Sequence, residues 1–157
     1  MQQNLKPLAS KPQTPDTRVA IVVSRFNEAV TDGLLNGALA ELAERGIATD
    51  GVRIIHAPGA FEIPLIAQKL AQSGQVDGVV CLGCVIKGDT AHFEYISGPT
   101  AQGLMTASLV TGVPLSFGIL TTYTEEQSVV RSRDDGHNKG REAAAACVES
   151  AQCLASI

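Results

Sequence analysis

With 157 residues, the chain is long enough for one domain with a sizeable hydrophobic core. Hydrophobic residues make up 45% and charged ones 18%, an ordinary globular balance, and the net charge of -4 argues against a protein built to neutralise nucleic-acid phosphates. Aromatics are sparse at 4%, so a Phe or Tyr set among polar residues is worth weighing as part of a site. Met1 to Thr17 is polar and proline-bearing with no apolar h-region. Neither a signal peptide nor a membrane span is expected there, and the expected location is cytoplasmic.

Arg18 to Val23, rich in β-branched residues, predicts a first strand, with Ser24 to Asn27 as the loop after it. Thr31 and Asp32 predict the cap of a helix carrying Leu34, Leu35, Ala38, Leu39, Leu42 and Ala43 at helical spacing, closed by Gly46. Val52 to Ala57 predicts a second strand. Pro58-Gly59 breaks the chain, and Pro64 suits the first turn of a helix to about Ser73. Val76 to Ile86 is nearly continuous in apolar residues, as a strand buried on both faces is. A helix is expected within His92 to Thr111, ending at Gly112, with Pro99 requiring either a kink or a late start. Pro114 to Leu120 predicts a fourth strand. Thr124-Glu125-Glu126 opens a helix through Arg131, with acids at its positive end. After a polar break, Ser132 to Asn138, a last helix runs from Lys139 to about Leu154.

This alternation predicts right-handed crossovers and a three-layer α/β/α sandwich around a four-stranded parallel sheet. Residues 18–157 read as a single domain and residues 1–17 as a tail that a partner would order. Cys81 and Cys84 form a C-x-x-C inside an apolar strand, which points the two sulfurs to opposite faces. With Cys147 and Cys153 they read as small hydrophobes in a reducing compartment, not as a redox or zinc element. His56 and His137 have no metal-ligand spacing to partners, so no metal is expected.

In an open α/β sheet, ligands bind outside the carboxyl ends of the strands. The turns at that edge are Arg25-Phe26-Asn27, Pro58-Gly59-Ala60-Phe61-Glu62, Lys87-Gly88-Asp89-Thr90-Ala91-His92 and Thr121-Thr122-Tyr123. A flat ring, a carboxylate, an anion loop and an imidazole suit a planar polar heterocycle bound beside a phosphate. Gly83 to Thr90 has the spacing of a P-loop, but no lysine follows Gly88 and Cys84-Val85-Ile86 is strand, so a nucleoside triphosphate is excluded. Taken singly, each piece also has a plain reading. Gly88-Asp89-Thr90 can be an ordinary turn, His92 a structural histidine, Phe26 a packing ring, Glu62 a first-turn acid and Arg131 a solvated charge.

Taken together, the blocks resemble the lumazine synthase family from about Arg18 to Leu154. The likeness rests on Ser24 to Asn27, Pro58 to Pro64, Leu82 to Tyr95, Phe117 to Thr121, Glu126-Gln127 with Arg131, and Asn138-Lys139-Gly140. The resemblance implies a flavodoxin-like fold and a transferase of riboflavin biosynthesis that uses no cofactor or metal. Such an enzyme condenses 5-amino-6-(D-ribitylamino)uracil with 3,4-dihydroxy-2-butanone 4-phosphate, giving 6,7-dimethyl-8-ribityllumazine, phosphate and water. It further implies that Phe26 stacks on the pyrimidine with Asn27 near it, and that Ala60 and Glu62 hold the ribityl chain. Val85 and Ile86 would offer backbone groups to the pyrimidine edge, and Phe61 and Lys87 would join the substrate-binding set. Gly88, Asp89, Thr90 and Arg131 would bind the phosphate, and His92 would shuttle protons. Phe117, Arg131 and Lys139 would come from the neighbouring subunit of a pentamer.

Several positions depart from the commoner family pattern. Lys87 stands where many members carry arginine, Tyr123 where Asp or Asn is commoner, and Ser97-Gly98-Pro99 where a helix usually continues. Arg133-Asp134-Asp135-Gly136-His137 replaces a small-residue and lysine stretch that influences how pentamers pack. The uninterrupted spacing from Glu126 to Lys139 points to an icosahedral shell of pentamers, with an isolated pentamer or decamer as alternatives. Riboflavin synthase is the protein partner such a shell would enclose. Two other readings stay open: a non-catalytic module holding flavin precursors, and a shell protein whose main role is enclosure.

Overall fold

The computed structural model describes residues 11–157. In chain order the elements are β1 (Val19–Ser24), α1 (Glu28–Glu44), β2 (Arg53–Ala57), α2 (Ile63–Gln72) and β3 (Gly78–Ile86), then α3 (His92–Thr111), β4 (Leu115–Thr122), α4 (Glu125–Arg131) and α5 (Lys139–Ala155). All four strands are parallel, in the order β2-β1-β3-β4. This is the flavodoxin-like three-layer arrangement expected from the alternation of elements.

Side chains alternate along each strand, so every strand feeds two cores. Val19, Ile21 and Val23 of β1, with Val80, Leu82 and Cys84 of β3, pack against α1 and α5. Ala20 and Val22, with Val79 and Cys81, pack against α2 and α3. The central strands β1 and β3 are therefore buried on both sides and carry no polar alternation. Each fully buried aliphatic side chain there contributes about 1.5–3 kcal/mol. The C-x-x-C sulfurs fall in different cores, as strand geometry requires. Burial pushes the Cys147 thiol up to about 12, which removes it as a nucleophile at neutral pH.

Several strand ends shift by a residue or two, and the larger differences are these. β3 starts at Gly78, whereas β4 runs on to Thr122 because its ladder with β3 continues to Ile86. α1 starts a turn early: Asn27, not Thr31 or Asp32, precedes its first residue, and the Thr31 hydroxyl donates inside the helix to the Glu28 carbonyl at 3.2 Å. α3 is continuous from His92 to Thr111 with Pro99 inside it, so of the two expected accommodations the late start does not occur. Among the described residues, no helix is long and apolar enough to cross a membrane.

The tail expectation covers Met1 to Thr17, of which 1–10 lie outside the described residues. The part that is described is held by this chain itself. The Thr14 amide donates to the Arg45 carbonyl at 2.8 Å, and Lys11 donates to Glu41 at 2.7 Å, so these residues lie along the end of α1.

Candidate active site

β1 and β3 are neighbours, yet the chain leaves β1 toward β2 and returns across the sheet to β3. This is the switch point at which open α/β sheets leave a crevice. A pocket of about 400 Å³ lies there. Its walls include Phe26 and Asn27 after β1, Ala60, Phe61 and Glu62 before α2, Val85 and Ile86 at the end of β3, and His92 at the start of α3. Phe26 is 71% exposed, so its ring is free for a flat ligand to cover.

Asn27 sets the shape of this pocket. Its backbone is left-handed, with φ of 59°, and its side-chain Nδ2 donates to the Cys84 carbonyl at 2.9 Å. Beyond Leu82, β3 has no β1 partner, so its edge is open toward the pocket. The Cys84 carbonyl on that edge is taken by Asn27, and the Lys87 amide turns the other way, donating to Thr122 on β4 at 2.8 Å. By strand alternation Ile86 presents its backbone groups on the open side, while those of Val85 turn toward β4.

The anion loop follows directly. Gly88, Asp89 and Thr90 are exposed, and among the described residues no hydrogen bond takes up their amides. The Ala91 N-cap of α3 supplies no side-chain bond, and the Thr90 hydroxyl accepts from the His92 amide at 3.4 Å, so the positive end of a 20-residue helix faces this loop. The Lys87 side chain does not line the pocket. It pairs with Glu94 at 2.5 Å, lies 5.6 Å from the Phe93 ring centre, and is held above its ordinary value by that hydrogen bond.

Phe117, Arg131 and Lys139 are not in this pocket. They line a separate hollow of about 220 Å³ between β4, α4 and α5. There Arg131 donates to the Gln127 carbonyl at 2.8 Å, and Lys139 pairs with Glu142 at 2.6 Å. A reciprocal capping box between Thr124 and Gln127 fixes the start of α4.

A family model described as 6,7-dimethyl-8-ribityllumazine synthase matches residues 16–155. A protein of Caulobacter vibrioides named 6,7-dimethyl-8-ribityllumazine synthase 1 is 63% identical over 140 residues, covering 89% of this chain and 92% of the relative. The chain belongs to the 6,7-dimethyl-8-ribityllumazine synthase family. A relative of that name from Salinibacter ruber is 48% identical over 89% of this chain and 90% of its own length. One from Protochlamydia amoebophila is 46% identical over 92% of this chain and 84% of its own length. Membership in the lumazine synthase family makes the chain a transferase of riboflavin biosynthesis, not a passive binding module.

Three further residues line the switch-point pocket without an individual role read from the sequence: Gly59, Cys84 and Ile96. Cys84 and Ile96 carry no local signal, since each looks like core. The left-handed Asn27 had one, because Asn tolerates positive φ better than other non-glycine residues.

Proposed function

We propose that the chain joins 5-amino-6-(D-ribitylamino)uracil to 3,4-dihydroxy-2-butanone 4-phosphate in the switch-point pocket, forming 6,7-dimethyl-8-ribityllumazine, phosphate and water. The observation that carries this reading is the convergence of Phe26, Glu62, the open β3 edge at Ile86 and His92 on one pocket beside the positive start of α3. The pyrimidine stacks on Phe26, with Asn27 and Phe61 beside it. Ile86 and Val85 border its polar edge, and Ala60 and Glu62 take the ribityl hydroxyls. Gly88, Asp89 and Thr90 receive the phosphate, and Lys87 tunes charge nearby.

In the proposed sequence a primary amine attacks the ketone, the carbinolamine loses water, phosphate is eliminated, and the second nitrogen closes the ring on the remaining carbonyl with loss of a second water. No step changes the overall oxidation level, and every step moves protons. His92 is exposed at the pocket wall and is the side chain best suited to carry them. Holding both substrates in register supplies much of the remaining acceleration.

Arg131 grips the phosphate through two donors, and Phe117 and Lys139 close the pocket, all three contributed by a neighbouring copy. Two observations support such an assembly. The switch-point pocket and the Arg131 hollow are separate within one chain. In addition, Leu65, Met105, Leu109 and Val110 of α2 and α3 stand exposed, an apolar surface suited to burial against other copies. The assembly we propose is a cytoplasmic homopentamer, assembled further into an icosahedral shell able to enclose riboflavin synthase.

The test is to mix purified protein with both substrates and follow lumazine fluorescence together with phosphate release. Product above the spontaneous background, with a raised KM for the phosphorylated substrate in Arg131→Ala, supports the reading. A rate equal to background with ligand still bound overturns it.

A further inference from the structure

We infer that Ser128 is a positioning residue for the phosphate-binding arginine, acting through a buried hydroxyl–thiol chain that seats α4 on the ends of β3 and β4. The inference rests on the proposed role of Arg131. α4 is only seven residues long, and the one side chain it buries is not apolar but Ser128, at 0% exposure. A helix this short has little intrinsic stability, so its place depends on what holds it. Val129 and Val130 are substantially exposed and do not anchor it.

The Ser128 hydroxyl has two buried partners. The Cys84 thiol of β3 donates to its oxygen at 3.3 Å, and the Thr122 hydroxyl at the end of β4 lies 2.5 Å away. Cys84 is 3% exposed and Thr122 5%, so water does not compete for these bonds. Arg131 sits one turn further along α4, and its guanidinium is bonded to the carbonyl of Gln127, the residue before Ser128. Any shift or tilt of α4 that follows loss of the Ser128 bonds therefore moves the guanidinium with it. Cys84 also accepts from Asn27 through its carbonyl, so a single β3 residue bears on both the switch-point pocket and the helix that carries Arg131.

A merely structural serine lowers stability and leaves the discrimination between the two substrates alone. A positioning serine raises the KM for the phosphorylated substrate selectively. The experiment measures KM for each substrate, kcat, and inhibition by inorganic phosphate in the assembled wild-type enzyme, Ser128→Ala, Arg131→Ala and the Ser128→Ala/Arg131→Ala double variant. Ser128→Ala is expected to raise KM for the phosphorylated substrate and weaken phosphate inhibition by roughly three- to tenfold, the scale of one buried hydrogen bond. The pyrimidine KM is expected to stay unchanged. In the Arg131→Ala background the same substitution adds nothing, because the group it positions is gone.

Thr122→Val removes the same bond from the β4 side and is expected to reproduce the pattern even where Ser128→Ala fails to fold. Thr122→Ser keeps the hydroxyl and is expected to restore the wild-type KM values. Equal KM changes for both substrates, or an additive effect on top of Arg131→Ala, overturn the positioning role while leaving the phosphate role of Arg131 intact. An unchanged phosphate-substrate KM in Arg131→Ala overturns the phosphate assignment itself, and the role of Ser128 falls with it.

Discussion

Asn27 performs two tasks that usually fall to different residues. It turns the chain from β1 into α1 through a left-handed backbone, and its side chain holds that turn to the Cys84 carbonyl. The two tasks separate by substitution. Asn27→Gly keeps the turn and loses only the bond, whereas Asn27→Ala loses the bond and adds left-handed strain of about 1–2 kcal/mol. Urea unfolding is expected to rank Asn27→Ala below Asn27→Gly, and a reversed order removes the strain argument. Both variants are expected to raise the KM of the pyrimidine substrate, because Phe26 is adjacent. His92 lies exposed, where solvent can replace it in part. His92→Ala is therefore expected to lower kcat by roughly tenfold, below the usual range for acid–base catalysis, and to alter the pH–rate profile. An unchanged rate and profile would remove it from proton transfer.

Between elements, the contact of α1 with α5 depends on Asn138. Its Oδ1 accepts from the amides of Gly140 and Arg141, capping α5, while its Nδ2 donates to the carbonyls of Gly33, Ser132 and Arg133. One buried side chain thereby ties α1, the end of α4 and the start of α5. Gly37 and Gly140 make room for this: a Cβ on Gly37 would lie 2.1 Å from the Asn138 Oδ1, and one on Gly140 would lie 1.9 Å from the Leu34 carbonyl oxygen. Asn138→Ala is expected to destabilise the chain by about 2–4 kcal/mol, the combined loss of a cap and of several buried bonds. Gly140→Ala is expected to cost about 1–3 kcal/mol through overpacking. Denaturant midpoints test both, and a shift below roughly 0.5 kcal/mol, the scale of an ordinary surface substitution, would contradict the close approach.

Across the molecule, ion pairs link the segment before β1, α1 and α5. Arg45, 3% exposed, bridges Glu41 at 2.9 Å and Glu149 at 2.8 Å, and Arg141 reaches Glu44 at 2.9 Å. Hydrogen bonds from Lys11 and then Arg141 hold the Glu44 carboxyl below the usual carboxylate range, and Arg18 does the same for Asp77. Because these folded values are depressed, the stabilisation is complete above the ordinary carboxylate pKa near about 4 and is lost as pH falls through the lower folded values. Glu44→Gln is expected to melt below the wild type at neutral pH, with the difference shrinking below about pH 4. A difference that stays constant into acid would show that the pairing contributes nothing. Exposure of these groups keeps the effect small. The proposed assembly belongs to this scale too: if it forms, Leu109→Asp at an exposed position of α3 is expected to break it in sedimentation and to abolish turnover while each chain stays folded. Retained activity in a dissociated chain would show that one chain completes its own site.

Much of this was legible locally. The apolar runs at Val19 to Val23 and Val79 to Ile86 and the helical spacing of Leu34, Ala38 and Leu42 determined the element types. Polar turns after each strand determined which edge carries the chemistry, and the likeness of whole blocks pointed to the reaction class, because periodicity and turn chemistry are short-range properties of a chain. Tertiary structure alone decided the order β2-β1-β3-β4, which sets Phe26 beside Ile86 and makes the crevice. It also decided that Phe117, Arg131 and Lys139 line a different hollow, and that Cys84, which looks like core, bonds to both Asn27 and Ser128. Those neighbours are 57 and 44 residues from Cys84 along the chain. Bonds of that span depend on how layers pack, and packing leaves no local pattern in the residues it joins.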